Sequence, residues 1–327
     1  NAMAYHPGRG LCDPFGGKKD LRERVIRCVG EPVTRFCEDG LRILRAVRFA
    51  ATLEFAIAPD TANAVRDCRA LLDNIARERV RIEWDKLLLG AGAVPVLRAF
   101  PEIVGQIFPE VTPCFGFAQN SRYHCFDVWE HTLAALEYAK ADHIVRLALF
   151  FHDIGKPAVY REDACGGHFP GHAKVSVELA QAAMERLRYD RDTTARVLAL
   201  VREHDIPLPT QEKGVRRLMM RFDDADIARL LEIQRCDRLA HHPDFRDLPQ
   251  EWYALPATVE KLRAEHACLS LRDLAVNGRD LMALGIPAGR EVGRILQELL
   301  DAVVDGNLEN EKKTLLAEAE IRKKEKV

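Results

Sequence analysis

From about residue 38 onward, apolar side chains recur at intervals of three and four, as in Leu41, Leu44, Val47 and Ala51 and again in Leu179, Ala183 and Leu187. That period is the signature of helices with one buried face, and strand-like alternation is almost absent there. The first thirty residues differ. Pro7-Gly8, Asp13-Pro14 and Gly16-Gly17 interrupt short apolar stretches such as Val25, Cys28 and Val29, which reads as turns around a small β element. The expected fold class is all-α: several helical segments with a small residual β element at the N-terminus. At roughly 100–200 residues per domain, 327 residues make two or three cooperating units.

Proline marks the divisions. Pro95, Pro101, Pro109 and Pro113 cluster around short helices, and the polar, aromatic stretch from Phe115 to Tyr123 leads into a new amphipathic helix near Asp127. A second cluster, from Pro243 through Pro249 to Pro256, precedes a tail ending in Arg322-Lys323-Lys324-Glu325-Lys326. The expected segments are 1–30, 31–110, 111–245 and 246–327, with no internal repeat. With 48 basic against 50 acidic residues the chain is near neutral, which excludes a uniformly basic nucleic-acid coat while permitting a local basic face. Nine scattered cysteines with no CxxC pair indicate neither a disulfide framework nor a thiolate zinc site. A reducing cytoplasm fits that usage. No apolar run approaches the ~18 residues of a membrane span, and the N-terminus carries no signal-type segment.

Four of the eleven histidines, His131, His152, His172 and His204, fall on or beside expected helices, one per helix or turn. His152-Asp153 closes the apolar run Leu147-Ala148-Leu149-Phe150-Phe151 and is followed by Ile154-Gly155-Lys156-Pro157, a helix stop with Gly and Pro in the expected places. A helix end buried against its neighbours holds a ligand rigidly. Imidazole nitrogen with carboxylate oxygen suits divalent first-row metals, and Asp237 can supply a carboxylate from another helix. The chemistry would be metal-activated water attacking phosphorus. The dipeptide itself is weak: composition supplies roughly 0.8 His-Asp pairs by chance, and His204-Asp205 is already a second. Core histidines satisfied by the backbone remain the plainer account of the same residues. Lys156 could neutralise a phosphate oxygen or be a solvated lysine at a helix C-terminus. Asp127 could orient His131 or simply cap its helix. His168 reads as a surface residue or one that supports a ligand, and His241-His242 as a polar helix end.

The order decides more than any single residue. His131, His152-Asp153, His172, His204 and then Asp237 resembles the HD phosphohydrolase superfamily. By that resemblance His131, His152, Asp153 and Asp237 match its four core ligand positions, and His172 and His204 the extra ligands of its two-metal members. Asp153 and Lys156 become the catalytic candidates, and the metal would be Mn, Ni, Fe or Mg.

Glu38-Asp39-Gly40-Leu41-Arg42-Ile43-Leu44-Arg45 reads as the opening of the first strong helix, with Asp39 and Arg42 on one face. A carboxylate accepting from an exocyclic amine beside a guanidinium donating to a ring nitrogen selects cytosine and adenine over guanine and uracil. The same spacing also describes an ordinary helix start with acids near its N-terminus. The context favours the first. Leu11-Cys12-Asp13-Pro14-Phe15-Gly16-Gly17, Arg35-Phe36-Cys37-Glu38-Asp39, Leu41 to Ala50, Glu78-Arg79-Val80-Arg81-Ile82-Glu83-Trp84-Asp85-Lys86-Leu87-Leu88, Gly278-Arg279-Asp280-Leu281-Met282 and Gly285-Ile286-Pro287 closely resemble the bacterial CCA-adding tRNA nucleotidyltransferase and poly(A) polymerase family. The resemblance runs along the whole chain.

It implies that Glu38, Asp39 and Arg42 help select CTP and ATP, with Arg45 near the triphosphate, and that the partner is the 3′ end of tRNA or another RNA. Gly40 stands where the family usually has proline, which would loosen the helix start. The family's catalytic domain carries a Gly-Ser phosphate loop, an Asp-x-Asp pair for two Mg ions and an Arg-Arg-Asp motif just before Asn-Ala. None of these is found in its place here. The chain is therefore expected to add no nucleotide by itself and to resemble a family member without its catalytic head; Asn1-Ala2 could equally be a tag-cleavage scar. The leading expectation is a tRNA 3′-end processing protein with an HD phosphohydrolase acting on phosphoesters or 2′,3′-cyclic phosphates. A stand-alone HD nucleotide phosphohydrolase and a catalytically silent tRNA-binding fragment are the alternatives.

Overall fold

A computed structural model describes residues 3–164 and 166–324. Asn1, Ala2, Cys165 and the last three residues, with part of the terminal charge run, lie outside the described residues. In chain order the elements are β1 (Ala4–His6), β2 (Gly10–Cys12), α1 (Gly17–Glu23), β3 (Val25–Ile26), α2 (Pro32–Glu38), α3 (Leu41–Leu53), β4 (Ala56–Ile57), α4 (Pro59–Asp67), α5 (Arg77–Leu88), α6 (Ala93–Ala99) and α7 (Pro101–Ile107). There follow α8 (Val128–Tyr138), α9 (His143–Phe151), α10 (Lys156–Val159), β5 (Arg161–Asp163), β6 (Gly166–His168), α11 (His172–Arg186), α12 (Arg191–Glu203), α13 (Glu212–Arg221), α14 (Asp224–Leu239), α15 (Gln250–Ala264), α16 (Gly278–Ala283), α17 (Arg290–Val304) and α18 (Lys312–Lys324). The protein is mostly helical, as the three-and-four periodicity requires.

Among the described residues, strands are confined to three two-stranded pieces: the antiparallel β1–β2 hairpin, the parallel pair β3–β4 and the antiparallel β5–β6 hairpin. The first belongs to the β element expected among the first thirty residues. The third leaves no alternation in the sequence. Arg161, Glu162 and Asp163 are all exposed, so β5 has no buried side to imprint an alternation.

Two compact units divide the chain, residues 1–205 with 229–247 and residues 206–228 with 248–327. In the first, proline opens α2, α4 and α7, where a missing N–H costs nothing. Aspartates cap three helices: Asp127 accepts from Glu130 N at 2.7 Å, Asp142 from Val145 N at 3.0 Å and Asp190 from Thr193 N at 2.8 Å. Asp127 thus serves as a cap. The core is centred on Trp84, Phe108 and Phe150, whose rings meet edge-on at 4.6–4.9 Å between centroids. Gly90 admits the backbone of α3, since a Cβ there would sit 2.7 Å from the carbonyl of Ala51. The second unit packs Leu281, Ile295, Leu299, Leu300 and Leu315 into a core of its own, and an Asn277–Asp280 capping box starts α16. All described cysteines are free thiols, and no described helix is long and apolar enough to cross a membrane.

Candidate functional site

The whole apolar run of α9 is buried, so its end delivers His152 and Asp153 into the interior of the first unit, 0% and 1% exposed. The turn beyond is pinned. Gly155 N–H donates to Ser176 Oγ at 2.9 Å, and a Cβ on Gly155 would meet His172 O at 2.5 Å and Ser176 N at 2.6 Å. That close approach brings the start of α11, with His172, against the His152-Asp153 turn.

Each imidazole is oriented from behind. Nδ1 of His152 donates to Leu149 O at 2.6 Å, Nδ1 of His204 to Val201 O at 2.7 Å, Nδ1 of His172 to Phe169 O at 3.0 Å, and Nδ1 of His131 lies 3.4 Å from Ala240 O. Carbonyls only accept, so Nδ1 carries the proton and Nε2 is turned to the centre. Two groups of ligand atoms result, His131/His152/Asp153/Asp237 and Asp153/His172/His204, each within 4.8 Å. Asp153 divides its oxygens between them. Oδ2 lies 3.2 Å from His152 Nε2 and 3.5 Å from His131 Nε2; Oδ1 lies 3.3 Å from His172 Nε2 and 3.7 Å from His204 Nε2. Asp237 Oδ1 closes the first group at 2.8 Å from His131 Nε2 and 3.7 Å from His152 Nε2. Ligands bound at ~2.0–2.2 Å to one ion stand roughly 3–3.5 Å apart, so both groups have metal-site dimensions.

Electrostatics point the same way. Burial by itself would depress the His152 imidazole, yet Asp153 and Asp237 push it up to about 10. Burial would raise both carboxyls, yet His152 and Lys156 hold Asp153, and His131 and His152 hold Asp237, well below the usual range. His172 Nε2 faces His204 Nε2 at 3.2 Å with both Nδ1 atoms committed to the backbone; two lone pairs at that distance require a proton or a cation between them. Buried His152 Nε2 has carboxylate oxygens of Asp153 and Asp237 around it and no well-aligned hydrogen bond to either. These donors fit divalent cations of the first row.

Lys156 is neither solvated nor at a helix C-terminus. It opens α10, is 5% exposed, and its Nζ lies 2.6 Å from Asp153 Oδ2 and 2.8 Å from Gln119 Oε1. A buried carboxylate draws the only flexible ammonium of the turn inward.

The segment around Glu38 differs from the single helix expected there. Glu38 ends α2, Asp39 is extended at φ −153°, and α3 begins after Gly40. Asp39 Oδ1 accepts from Leu41 N at 3.1 Å and Oδ2 from Arg79 at 3.2 Å, whereas Arg42 pairs with Glu38 at 2.6 Å. The break arises because the Asp39 side chain competes for the amides of the next turn. Arg45 reaches Glu83 at 3.7 Å, and Glu83, 6% exposed, is held by Arg48 at 2.6 Å. Gly40 is packed rather than loose: a Cβ there would touch Leu71 at 3.0 Å.

A family model described as tRNA nucleotidyltransferase domain 2 matches residues 171–319, and one described as "Probable RNA and SrmB- binding site of polymerase A" matches 54–114. The chain is 36% identical over 308 residues to the CC-adding tRNA nucleotidyltransferase of Thermus thermophilus, covering 90% of this chain and 68% of that one. It belongs to the tRNA nucleotidyltransferase family. The A-adding tRNA nucleotidyltransferase of Deinococcus radiodurans is 34% identical over 319 residues, covering 92% of this chain and 72% of the relative. The crystal structure of the Bacillus stearothermophilus CCA-adding enzyme in complex with CTP superposes with a TM-score of 0.69 at 27% identity, over 100% of this chain and 72% of that one. Membership places this tRNA nucleotidyltransferase relative in tRNA 3′-end processing.

Two histidines of this family member lie at the site without having been expected there from the sequence. His124 and His241 lie beside His131, with ring centroids 4.8 and 5.6 Å from it. Burial lowers His124 to about 2 and His241 to about 4, keeping both neutral. His241 was read as a polar helix end; it is instead mostly buried, one turn beyond Asp237, because that face of the chain turns inward. Its i+4 spacing from Asp237 was a usable signal, whereas His124 sits in an irregular stretch with none. His168 is exposed and pairs with Asp163 at 3.0 Å, as a surface residue would.

Proposed function

We propose that this chain is a tRNA 3′-end processing protein with two working parts: a nucleotide-selecting neck within 31–110 and a metal-dependent HD phosphohydrolase within 111–245, followed by an RNA-binding body at 246–327. The observation that carries the reading is the meeting of four inward-facing Nε2 atoms around Asp153 and Asp237. His131, His152, Asp153 and Asp237 would hold one divalent ion and Asp153, His172 and His204 a second, with Mn, Ni, Fe or Mg as candidates. Such ions supply Lewis acidity and a nucleophilic water at neutral pH. The protein's own part is separate. The backbone carbonyls fix the imidazole rings, Asp153 spans both positions, and Lys156 lends positive charge where phosphate oxygens would arrive.

The substrates that fit are phosphomonoesters and 2′,3′-cyclic phosphates at RNA ends. In the neck, Glu38, Asp39, Arg42 and Arg45 stand where nucleotide selection by the family would occur, with CTP and ATP as ligands. Asp39 and Arg42 would exchange their present partners Arg79 and Glu38 for base edges, which is inexpensive because exposed pairs contribute only about 0.2–1 kcal/mol. By themselves these 327 residues are expected to add no CMP or AMP.

Hydrolysis of cytidine 2′,3′-cyclic phosphate and of a 3′-phosphorylated RNA, with Mn2+, Ni2+ or Mg2+ added to chelator-treated protein, tests the proposal. Metal-dependent turnover abolished by Asp153→Asn is the expected result. Absence of bound metal and of turnover would leave the silent RNA-binding reading.

A further inference from the structure

His124, His131 and His241 each bring one ring nitrogen within 4.8 Å of the other two. The rings of His124 and His241 meet edge-on at 4.6 Å between centroids, and those of His131 and His241 are stacked at 5.6 Å. Nδ1 of His124 and Nδ1 of His241 are both buried and make no hydrogen bond, an arrangement that is costly unless something ligates them. His241 Nε2 faces Asp237 Oδ1 at 3.7 Å, which leaves Nδ1 as the nitrogen of that ring open to an ion.

We propose that His124, His131 and His241 form a seat for one late first-row divalent cation, zinc-like in preference, which excludes the His131/His152 position by capturing His131. The donor chemistry separates the two. Three imidazoles favour Zn2+, Co2+ or Ni2+ in low-coordinate geometry, whereas the carboxylate-bearing groups around Asp153 also accept Mn2+ or Mg2+. His131 has one inward nitrogen, because Nδ1 faces Ala240 O, so an ion held by the triad leaves the first position a ligand short. Zinc then acts as a brake on the centre. The inference concerns residues next to the proposed hydrolytic site but needs no hydrolysis to be tested.

The experiment is Co2+ titration of the chelator-stripped chain followed by visible absorption, with Mn2+ binding measured separately by calorimetry. The wild-type chain should develop the intense bands of a low-coordinate imidazole site. Asp153→Asn should keep them. His124→Gln/His241→Gln should lose them, binding Co2+ at that seat at least tenfold more weakly while retaining Mn2+. Each single substitution, checked by far-UV circular dichroism, gives the same answer if the double variant does not fold. Bands unchanged in the histidine variants, or lost in Asp153→Asn, overturn the proposal. Mn2+ binding without histidine-dependent bands sinks the triad alone, and the bands without Mn2+ binding sink the phosphohydrolase reading alone.

Discussion

Replacing Asp153 with Asn keeps the side-chain shape and removes one charge from a cavity whose charges nearly balance. Asp153 and Asp237 are negative; Lys156 and the His152 imidazole, pushed up to about 10, are positive. Without metal, Asp153→Asn strands Lys156, 5% exposed and 2.6 Å from the lost oxygen. Removing one partner of a buried pair costs about 3–5 kcal/mol. The lower end applies, because Lys156 keeps its bond to Gln119 at 2.8 Å. Lys156→Met removes the opposite charge, but Asp153 keeps a second positive partner, the His152 imidazole, 3.2 Å away. Its cost should be smaller, about 1–3 kcal/mol. Urea unfolding in chelator at pH 7 measures both. In Mn2+ the order should hold more strongly, since Asp153→Asn removes a ligand shared by both positions while Lys156→Met removes a competing cation. A loss below about 1 kcal/mol for Asp153→Asn, or a larger loss for Lys156→Met, would refute the charge argument.

Arg42→Ala, far along the chain from the histidines, should leave hydrolysis of a small phosphoester within about twofold of the parent, while Asp153→Ala abolishes it; equal losses would mean the two parts are not independent. Gly155→Ala forces a Cβ to within 2.5 Å of His172 O and should cost about 1–3 kcal/mol, with weaker Mn2+ binding by calorimetry because His172 is displaced. Asp142 is lowered from 3.8 by Val145 N–H and Arg229 although burial opposes this, so its stabilisation is complete above pH 3.8 and lost as the pH falls through its folded value. Asp142→Ala should therefore cost about 1 kcal/mol at pH 7 and progressively less in acid, read by urea midpoints across that window.

Much of the helical architecture is legible because a helix writes its buried face into the sequence at three and four. Leu41, Leu44, Val47 and Ala51 all lie on one side of α3; Leu44, Val47 and Ala51 are essentially inaccessible. Local chemistry reads equally well: Asp127 marks a helix start, and His152-Asp153 marks the end of a buried run. The order of histidines and aspartates pointed to groups that do converge. The β5–β6 hairpin did not declare itself, since exposed Arg161-Glu162-Asp163 and the glycines after it carry no periodicity. Nor did the break at Asp39, where a side chain bonding to the amide of Leu41 outcompetes a helix start that spacing alone would place earlier.

What the sequence by itself determined is the helical character of the chain and, for several helices, the apolar side and the residues poised at the ends, because these depend on neighbours within a few positions. The tertiary structure decided which ends meet. His131, His152, His172, His204 and Asp237 come from separate elements, and only the packing of α8, α9, α11, α12 and α14 turns their inner atoms toward Asp153. The same packing buried Lys156 against a carboxylate and set His124 and His241 beside His131. Those contacts join residues up to 109 positions apart, and no local spacing encodes a distance that depends on how whole helices stack.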